Sequence, residues 1–555
     1  MSMEQYRAAQ KAGKKELQTL AAQKLPTEMP ALDAILEHTD ISGEIPLGLV
    51  DIPTELIVGT KTIGRTSSFA PNFMPILGEN TEFAAKWAAL CDAHLREGIR
   101  DPIVAYEYMN HYYVQEGNKR VSVLKFFDAI SVPGYVTRII PAREDTKESR
   151  LYYEFLEFYN ATSINYLFFS KEGSYLHLAY HLGHRRYERW SMDDRIIFRS
   201  CYNRFADAFK ELGGDHLHMT VGDAMLIYLD LFDYNQLKDE TPSEIKENLK
   251  KMWAEFELKN AQETPSVKFD PSPVQKKNIL TKLLSPSEEE TITRIAFINR
   301  KTPETSSWTY AHELGRLYLK DAFHGTVQTK AYDDISGTDN AITAIEQAIA
   351  DGYEMIFTTS PEFLSASLRA AVNHPEVKIL NCSLNSSHKY IRTYYGRMYE
   401  AKFLIGVLAG IMTDTNKIGY IADYPIYGMT ANINAFALGV KMVNPKAKIY
   451  LEWSTLKENE HVDLTAKLYS MGATYISHQD MIIPRKITRQ FGLFRVNGET
   501  PVNLAFPAWN WGKYYERIIR NVQNGIWNTE EKSDANKALH YWWGMSSDVI
   551  DVVWS

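Results

Sequence analysis

Short apolar runs and amphipathic segments alternate regularly along the second half of the chain. The runs at 294–299, 355–358, 377–380 and 417–422 have the length of buried strands, and segments with helical periodicity separate them. This alternation predicts a parallel sheet with helices on both faces. Residues 145–260 instead show helical periodicity almost throughout, and Thr241-Pro-Ser-Glu244 is typical of a helix start.

The same patterns divide the chain into four predicted segments. They are a helix with a small α+β domain at 1–143, a helical domain at 144–260, a linker rich in proline, serine and charge at 261–292, and an α/β domain at 293–555. The predicted fold class is therefore α/β.

Composition and charge exclude several classes of protein. The 555 residues carry a net charge of -8, which argues against an obligatory polyanionic partner. The three cysteines have no metal-ligand spacing and give no disulfide framework. The N-terminal segment lacks the apolar core of a signal peptide, no lipid-anchor cysteine precedes Cys91, and the run 401–412 is too short to span a bilayer. We therefore expect a cytoplasmic protein without membrane insertion.

Several polar and aromatic residues follow the predicted strands directly. In open α/β sheets, ligands bind outside the carboxyl ends of the strands. The positions to inspect are therefore Asn299, Ser360 with Phe363, Asn381, the stretch 423–427, and the loop near Trp509.

The C-terminal region resembles the BMP (basic membrane protein) family of periplasmic-type binding proteins, whose members bind purine nucleosides or bases for ABC import. The motifs that carry the resemblance are Trp308-Thr-Tyr-Ala-His-Glu313, Ile356-Phe-Thr-Thr-Ser360, Tyr395-Gly-Arg-Met-Tyr-Glu-Ala401, Lys417-Ile-Gly-Tyr-Ile-Ala422, Asn432-Ile-Asn-Ala-Phe-Ala-Leu-Gly439, Val443-Asn-Pro445 and Trp509-Asn-Trp-Gly512. The resemblance implies a two-lobed type I fold with Rossmann-like parallel sheets and a purine site between the lobes.

The purine-contacting residues expected from this resemblance and from the strand ends are Asn299, Trp308, Ser360, Phe363, Asn381, Arg397, Asp423, Tyr427, Trp509 and Asn510. Rings at strand-end loops can stack on a purine, although Trp308 and Phe363 could instead pack within a lobe. Arg397 could face the cleft or pair with Glu400 one helical turn on. The glycines Gly406 and Gly410 are expected to let their helix pack close to the sheet.

One departure from the family changes the expected ligand. Nucleoside-binding members carry an Asp after a late strand and a Lys in a following loop, and both hold the ribose. The stretches 491–500 and 508–511 contain neither residue at those places. A free base such as adenine or hypoxanthine is therefore favoured, with a nucleoside as the alternative.

The segment around Gly117 leads from a predicted hairpin directly into a helix. It resembles the loop of the ParB/sulfiredoxin-like superfamily that grips nucleotide phosphates, with Gly117, Asn118, Lys119 and Arg120 on the loop and Arg65 adding a contact. The alternative is a plain helix start with solvated Lys and Arg side chains. Sulfiredoxin chemistry is excluded because the loop has no cysteine, and no carboxylate cluster supports a nuclease.

The helical middle gives no clear functional signal. His177, His181 and His184 share one predicted helix face, but no carboxylate completes a metal-binding motif, and Arg185 and Arg186 follow. We expect no metal and no cofactor here. Binding of DNA is left open, since 184–189 is a basic cluster without a helix-turn-helix pattern.

Together these features predict a non-enzymatic cytoplasmic purine sensor built on a solute-binding module. One alternative is the substrate-binding component of a purine or nucleoside ABC transporter. The other is a nucleotide-dependent, DNA-associated switch run by the N-terminal domain. A homodimer is also left open.

Overall fold

A computed structural model describes residues 2–186, 188–261, 264–271, 292–384, 388–423, 427–459, 461–485, 488–496, 498, 500–534 and 537–555. The chain forms two compact units, one comprising Met1–Ala206 and Met219–Leu226 and the other Asp207–His218 and Ile227–Ser555. These limits differ from the segment boundaries expected at 143, 260 and 292, which stay predictions.

The helices of the described residues are α1 Ser2–Ala22, α2 Leu32–Leu36, α3 Glu82–Glu97, α4 Asn118–Phe126, α5 Lys147–Thr162, α6 Ser174–His181, α7 Met192–Glu211, α8 Val221–Leu231, α9 Tyr234–Asp239, α10 Pro242–Lys251, α11 Trp253–Ala261, α12 Ser307–Phe323, α13 Thr338–Ala350, α14 Leu364–Asn373, α15 Met398–Met412, α16 Tyr427–Val443, α17 Leu464–Ser470, α18 Trp511–Gln523 and α19 Ile526–Ser533. The predicted helix start at Thr241 is confirmed: its side chain and that of Glu244 form a reciprocal capping box ahead of Pro242. None of the described helices is long and apolar enough to cross a bilayer.

The strands are β1 Ile41–Pro53, β2 Ile57–Thr60, β3 Ile103–Tyr108, β4 His111–Glu116, β5 Ser131–Pro141, β6 Ser266–Lys268, β7 Thr293–Ile298, β8 Val327–Tyr332, β9 Met355–Thr358, β10 Lys378–Cys382, β11 Arg392–Gly396, β12 Lys417–Ala422, β13 Lys448–Trp453, β14 Tyr475–Ser477, β15 Leu493–Arg495, β16 Val502–Trp509, β17 Leu539–Trp543 and β18 Ile550–Trp554. Short 3-10 turns include Ile63–Ser68, Pro361–Phe363 and Met545–Ser547.

The first unit is built on a five-stranded sheet in the order β1-β5-β3-β4-β2. The predicted hairpin is present, because β3 and β4 pair antiparallel across a turn in which Met109 and Asn110 both have positive φ. Gly117 then takes φ +101 and caps α4, as the sequence predicts. A Cβ at Gly117 would lie 2.7 Å from Cγ2 of Ile103, so both conformation and space require glycine there.

The second unit contains a parallel seven-stranded sheet and a mixed six-stranded sheet. The seven-stranded lobe has the order β6-β17-β11-β10-β9-β7-β8, and the six-stranded lobe has the order β13-β12-β14-β15-β16-β18. The chain crosses between them after β11, after β16 and after β17. The two predicted lobes are thus confirmed, and the seven-stranded sheet is parallel as predicted. The six-stranded sheet is parallel over β13, β12 and β14 and antiparallel from β14 through β15 and β16 to β18. Arg397, Asn510 and the segment 544–549 form the crossings.

A strand also lies within the predicted linker. β6 pairs parallel with β17, so residues 266–268 extend the seven-stranded sheet. Most other residues of the linker, 262–263 and 272–291, lie outside the described residues.

The glycines of α15 have a different role from the one expected. A Cβ on Gly406 would lie 2.1 Å from the carbonyl oxygen of Phe436, and one on Gly439 would lie 2.1 Å from that of Phe403. A Cβ on Gly410 would likewise meet Val440 and Val443. These glycines therefore allow α15 and α16 to pack against each other, and the prediction of helix-to-sheet packing is wrong.

Candidate ligand-binding cleft

The carboxyl ends of strands from both lobes border one cleft. α16 of the six-stranded lobe begins opposite the other lobe, since a Cβ on Gly428 would lie 3.6 Å from Cδ1 of Leu384 and 4.0 Å from the hydroxyl of Tyr395. Further out, a hydrogen bond from Thr302 lowers the pKa of the Glu304 carboxyl, and the guanidinium of Arg485 in the opposite lobe lowers it further. The two rims of the cleft therefore lie close together.

Three half-buried rings form one wall of the cleft, the aromatic wall: Trp308 and Tyr395 of the seven-stranded lobe and Trp509 at the end of β16 in the six-stranded lobe. Trp308 lies 6.2 Å from Tyr395 in a stacked arrangement and 5.5 Å from Trp509 edge to face, measured between ring centroids. The indole N–H of Trp308 donates to the carbonyl of Thr359 at 2.7 Å, which fixes the ring at the end of β9. Because each ring keeps part of its surface exposed, this wall can stack on a flat ligand.

A second layer of rings holds this wall from behind. Trp511 stacks on Trp509 with centroids 4.9 Å apart and on His312 at 4.4 Å. His312 is fully buried, its Nδ1 hydrogen-bonds the hydroxyl of Tyr515, and burial lowers its pKa well below the usual value. The ring is therefore neutral, and it supports Trp308 by packing and not by charge.

The polar residues predicted at the strand ends of the seven-stranded lobe make hydrogen bonds to other groups of the protein. Asn299 donates to Asp333 at 2.8 Å and accepts from Thr359 at 2.8 Å. Asn381 donates to the hydroxyl of Thr358 and to the carbonyl of Ser360. Both amides are almost fully buried, so they shape the strand-end loops.

Phe363 and Ser360 form the 3-10 turn after β9. The Phe363 ring is 0% exposed, which leaves it no surface for a ligand. The Ser360 hydroxyl accepts from the backbone N–H of Glu362 at 3.4 Å, and the residue is half-buried. Of the residues predicted at this strand end, Ser360 alone therefore presents a polar surface to solvent.

Arg397 and Asn510 lie in the crossings between the lobes. Nε of Arg397 forms an ion pair with Glu400 at 2.8 Å, the helical pairing that the sequence offered as an alternative. The amide of Asn510 donates to the carbonyl of Asp548 at 3.1 Å, and its backbone N–H donates to Val549 at 2.8 Å. Both side chains thus tie one crossing to another.

The wall on the six-stranded lobe is charged. Asp423 follows β12 and accepts from the hydroxyl of Ser454 at 2.7 Å. Lys402, on α15, is 1% exposed and forms an ion pair with Asp480, which follows β14. The ammonium of Lys402 also lies 3.3 Å from the hydroxyl of Ser477 and 5.3 Å from the ring centre of Tyr420.

Burial and charge shift the pKa values of this wall. Burial raises the pKa of Asp480 in spite of Lys402, and Asp423 raises it further. Burial opposes the charge on Lys402, but Asp480 and Tyr420 together outweigh burial and raise the Lys402 pKa. Burial lowers the pKa of His478, whose Nδ1 lies 3.2 Å from the carbonyl of Gln490.

Sequence reasoning missed Lys402, His478 and Asp480. Lys402 stands alone in the apolar segment 401–412, which is an available signal because a lysine on the buried face of a helix needs a partner. Asp480 follows a three-residue strand that is too short to recognise by pattern. Tyr427 begins α16, but its side chain lies outside the described residues.

The predicted phosphate loop begins α4 as expected. The guanidinium of Arg120 donates to the carbonyls of Asp101 at 3.0 Å and Pro102 at 2.6 Å, and the ammonium of Lys119 lies 4.8 Å from the ring centre of Phe83. Asn118 is buried, and the side chain of Arg65 lies outside the described residues. The structure therefore places the four loop residues together, with Arg120 directed at backbone carbonyls.

The three histidines of the helical middle do not converge. Nε2 of His177 and Nε2 of His181 lie 3.1 Å apart on α6. His184 instead stacks on Trp190 with ring centroids 4.8 Å apart.

Comparison with known proteins supports the predicted resemblance in the C-terminal region. Residues 292–484 match the family model described as ABC transporter substrate-binding protein PnrA-like. A purine-binding protein of Brucella abortus (strain 2308) is 25% identical over 268 residues, covering 46% of this chain and 74% of that protein. A Haloferax volcanii protein named as an ABC transporter glucose-binding protein is 25% identical over 279 residues, covering 48% of this chain and 67% of that protein.

Among solved structures, a solute-binding protein of an ABC transporter system from Conexibacter woesei is 13% identical with a TM-score of 0.37, covering 47% of this chain and 88% of that chain. The two lobes and the three crossings between them define the fold independently of this likeness. The ParB-like resemblance of the N-terminal segment stays a prediction. The region 292–484 thus matches the PnrA-like family of ABC transporter substrate-binding proteins.

Proposed function

We propose that the C-terminal region is a receptor that closes on a purine-type ligand without transforming it. The observation that carries the proposal is the wall of partly exposed rings, Trp308, Tyr395 and Trp509, which pack together where strands of the two lobes end. The purine-binding protein of Brucella abortus, to which this region is similar, supports the same ligand class.

The physical basis of the proposal is stacking between flat surfaces. A purine ring placed on an aromatic side chain gains roughly 1–3 kcal/mol per base. The second layer around Trp511 and His312 holds the rings in place before the ligand arrives, so little ordering is required on binding. Such a preformed wall favours a rigid aromatic ligand over a flexible chain.

The charged wall decides which edge of the ligand faces the other lobe. Asp423 and Asp480 are acceptors when ionised, so they suit N–H or O–H donors on the ligand. The exocyclic amine of adenine offers such donors, and so do the hydroxyls of a nucleoside. A sugar is the second candidate ligand, because a ring stacked on tryptophan with hydroxyls on carboxylates also fits this cleft and one similar protein is named for glucose binding.

A calorimetric panel tests the ligand class directly. Purified full-length protein is titrated with adenine, hypoxanthine, adenosine, guanosine and glucose. We expect at least one purine to bind with Kd below about 1 mM. Binding of glucose alone would replace the first candidate by the second, and no binding by any of the five compounds would refute the proposal.

We further propose that the receptor serves sensing in the cytoplasm. Its support is that the chain places a five-stranded α/β sheet and several helices before the receptor region, beyond what solute delivery requires. Fractionation of producing cells tests this, with the intact chain expected in the cytosolic fraction. Recovery outside the inner membrane would favour delivery to an ABC permease. Nucleotide binding at Gly117–Arg120 and a DNA-associated switch stay predictions.

A further inference from the structure

The segment 266–270, which we call the hinge strap, contacts both the seven-stranded sheet and the crossings between the lobes. Its first part is fixed: β6 pairs with β17, the backbone N–H of Ser266 donates to Ala538 at 2.8 Å, and Lys268 forms an ion pair with Asp534 at 2.8 Å. These contacts belong to the seven-stranded lobe alone. The strap therefore starts from a rigid support.

The second part of the strap reaches the crossings. The hydroxyl of Ser546, in the crossing after β17, donates to Asp270 at 2.6 Å. The guanidinium of Arg397, in the crossing after β11, donates to the same hydroxyl at 3.2 Å and lies 5.6 Å from the ring centre of Phe269. One hydrogen-bonded chain thus connects two crossings to the strap.

The crossings themselves are tightly packed around this chain. The backbone N–H of Met545 donates to Glu400 at 2.7 Å, and that of Arg397 donates to Trp543 at 2.8 Å. A Cβ on Gly544 would lie 2.2 Å from the Glu400 carboxylate, so no larger residue fits there without rearrangement. Rotation of one lobe changes backbone dihedral angles in all three crossings, and the one after β17 carries Ser546.

We infer that the hinge strap reports the state of the cleft: closure changes the Ser546–Asp270 contact, and this alters the segment through which the receptor joins the rest of the chain. The inference rests on the proposed function. By linkage, a contact made in the closed state strengthens ligand binding, and the ligand in turn stabilises the contact. Phe269 and Asp270 are exposed, so their remaining surface is available to transmit the change.

Hydrogen exchange and calorimetry with full-length protein test this coupling. The probe is whichever purine of the panel binds the wild type most tightly. We expect it to slow exchange in peptides spanning 264–271. We also expect Asp270→Ala and Ser546→Ala each to weaken binding roughly 3- to 10-fold, the effect of one lost hydrogen bond. Asp551→Ala removes an exposed carboxylate of the six-stranded lobe and is the charge-matched control, expected to stay within about twofold of wild type.

The outcomes separate the two proposals. If no purine binds the wild type, the proposed function fails. If a purine binds while exchange at 264–271 is unchanged and both variants bind like the control, the strap is a passive connection and the inference is overturned. Phe269→Ala is an independent check on the role of the hinge strap, because it removes the ring beside Arg397 and leaves the hydrogen bonds of the strap in place.

Discussion

The two walls of the cleft differ in charge and in the kind of side chain that forms them. The aromatic wall is neutral, since burial lowers the pKa of His312, which packs against Trp308, and keeps its ring uncharged. The wall on the six-stranded lobe concentrates charge, with Asp423, Asp480 and the buried Lys402 close together. Under the proposed function, the neutral aromatic wall selects a flat ligand, and the charged wall selects the edge that the ligand presents to it.

The two walls therefore respond differently to substitution of their residues. Aromatic packing loses contact area when one ring is removed, but it leaves no unpaired charge behind. A buried ion pair is different, because removing one partner leaves the other charge unpaired in a poorly solvated place. We therefore expect loss of one partner of the buried Lys402–Asp480 pair to affect folding, and changes in the aromatic wall to affect binding.

The largest effect is expected from Lys402→Ala. It leaves the carboxylate of Asp480 buried without its cation, and breaking such a pair costs roughly 3–5 kcal/mol of the free energy of unfolding. Denaturant unfolding measures this cost. The double variant Lys402→Met with Asp480→Leu is expected to recover most of it, since neither charge remains. A cost below about 1 kcal/mol for Lys402→Ala would contradict the burial of this pair.

Trp308→Ala is expected to break the aromatic wall without unfolding the lobe. Loss of one stacking surface should weaken purine binding by about 1–3 kcal/mol, or roughly 5- to 150-fold in Kd. Trp308→Phe should keep part of the affinity. Trp554→Ala is the matched control, because Trp554 is 55% exposed at the end of the six-stranded sheet. Equal Kd values for Trp308→Ala and Trp554→Ala would place the ligand elsewhere.

The two walls also differ in how far the sequence predicts them. Strand–helix alternation and the resemblance predict both lobes, and the strand-end rule places Trp308, Trp509 and Asp423 at the cleft. The same rule cannot distinguish a strand-end residue that faces the cleft from one that is turned inward, as Asn299, Asn381 and Phe363 are. That choice depends on loop geometry and on partners such as Asp333, which lie far away in sequence.

The charged wall was harder to predict because its parts come from separate elements. Lys402 comes from α15 and Asp480 from the loop after β14, 78 residues later. Only tertiary packing brings these residues together, and neither has a local motif. Arg397 shows the same limit. The sequence allows its side chain either to face the cleft or to pair with Glu400. In the structure Glu400 lies beside Gly544 and forms the ion pair with Arg397.

The neutrality of the aromatic wall predicts a pH effect on stability. The pKa of His312 lies well below its value of about 6.5 in the unfolded chain. As the pH falls below about 6.5, the imidazole of His312 becomes protonated in the unfolded chain but stays neutral in the folded state. The stability that the protein has above that pH is therefore progressively lost as the pH falls. The slope is up to about 1.4 kcal/mol per pH unit for one proton. His312→Gln should remove that part of the slope between pH 6.5 and 5, and parallel curves for variant and wild type would contradict a neutral His312.

The smallest effect, and the sharpest test of the division between the walls, is expected from Asp423→Asn. The side chain is half-buried and keeps its hydrogen bond from Ser454 if the amide oxygen replaces one carboxylate oxygen, so stability should change little. The other end of the amide becomes a donor and can no longer accept from the ligand. We expect a loss of roughly tenfold for ligands that present amine or hydroxyl donors, such as adenine or adenosine, and a smaller loss for hypoxanthine, which lacks the exocyclic amine. A uniform loss across the panel would mean that Asp423 supports the fold of the wall and does not read the ligand edge, and the charged wall would then have no part in selecting the base.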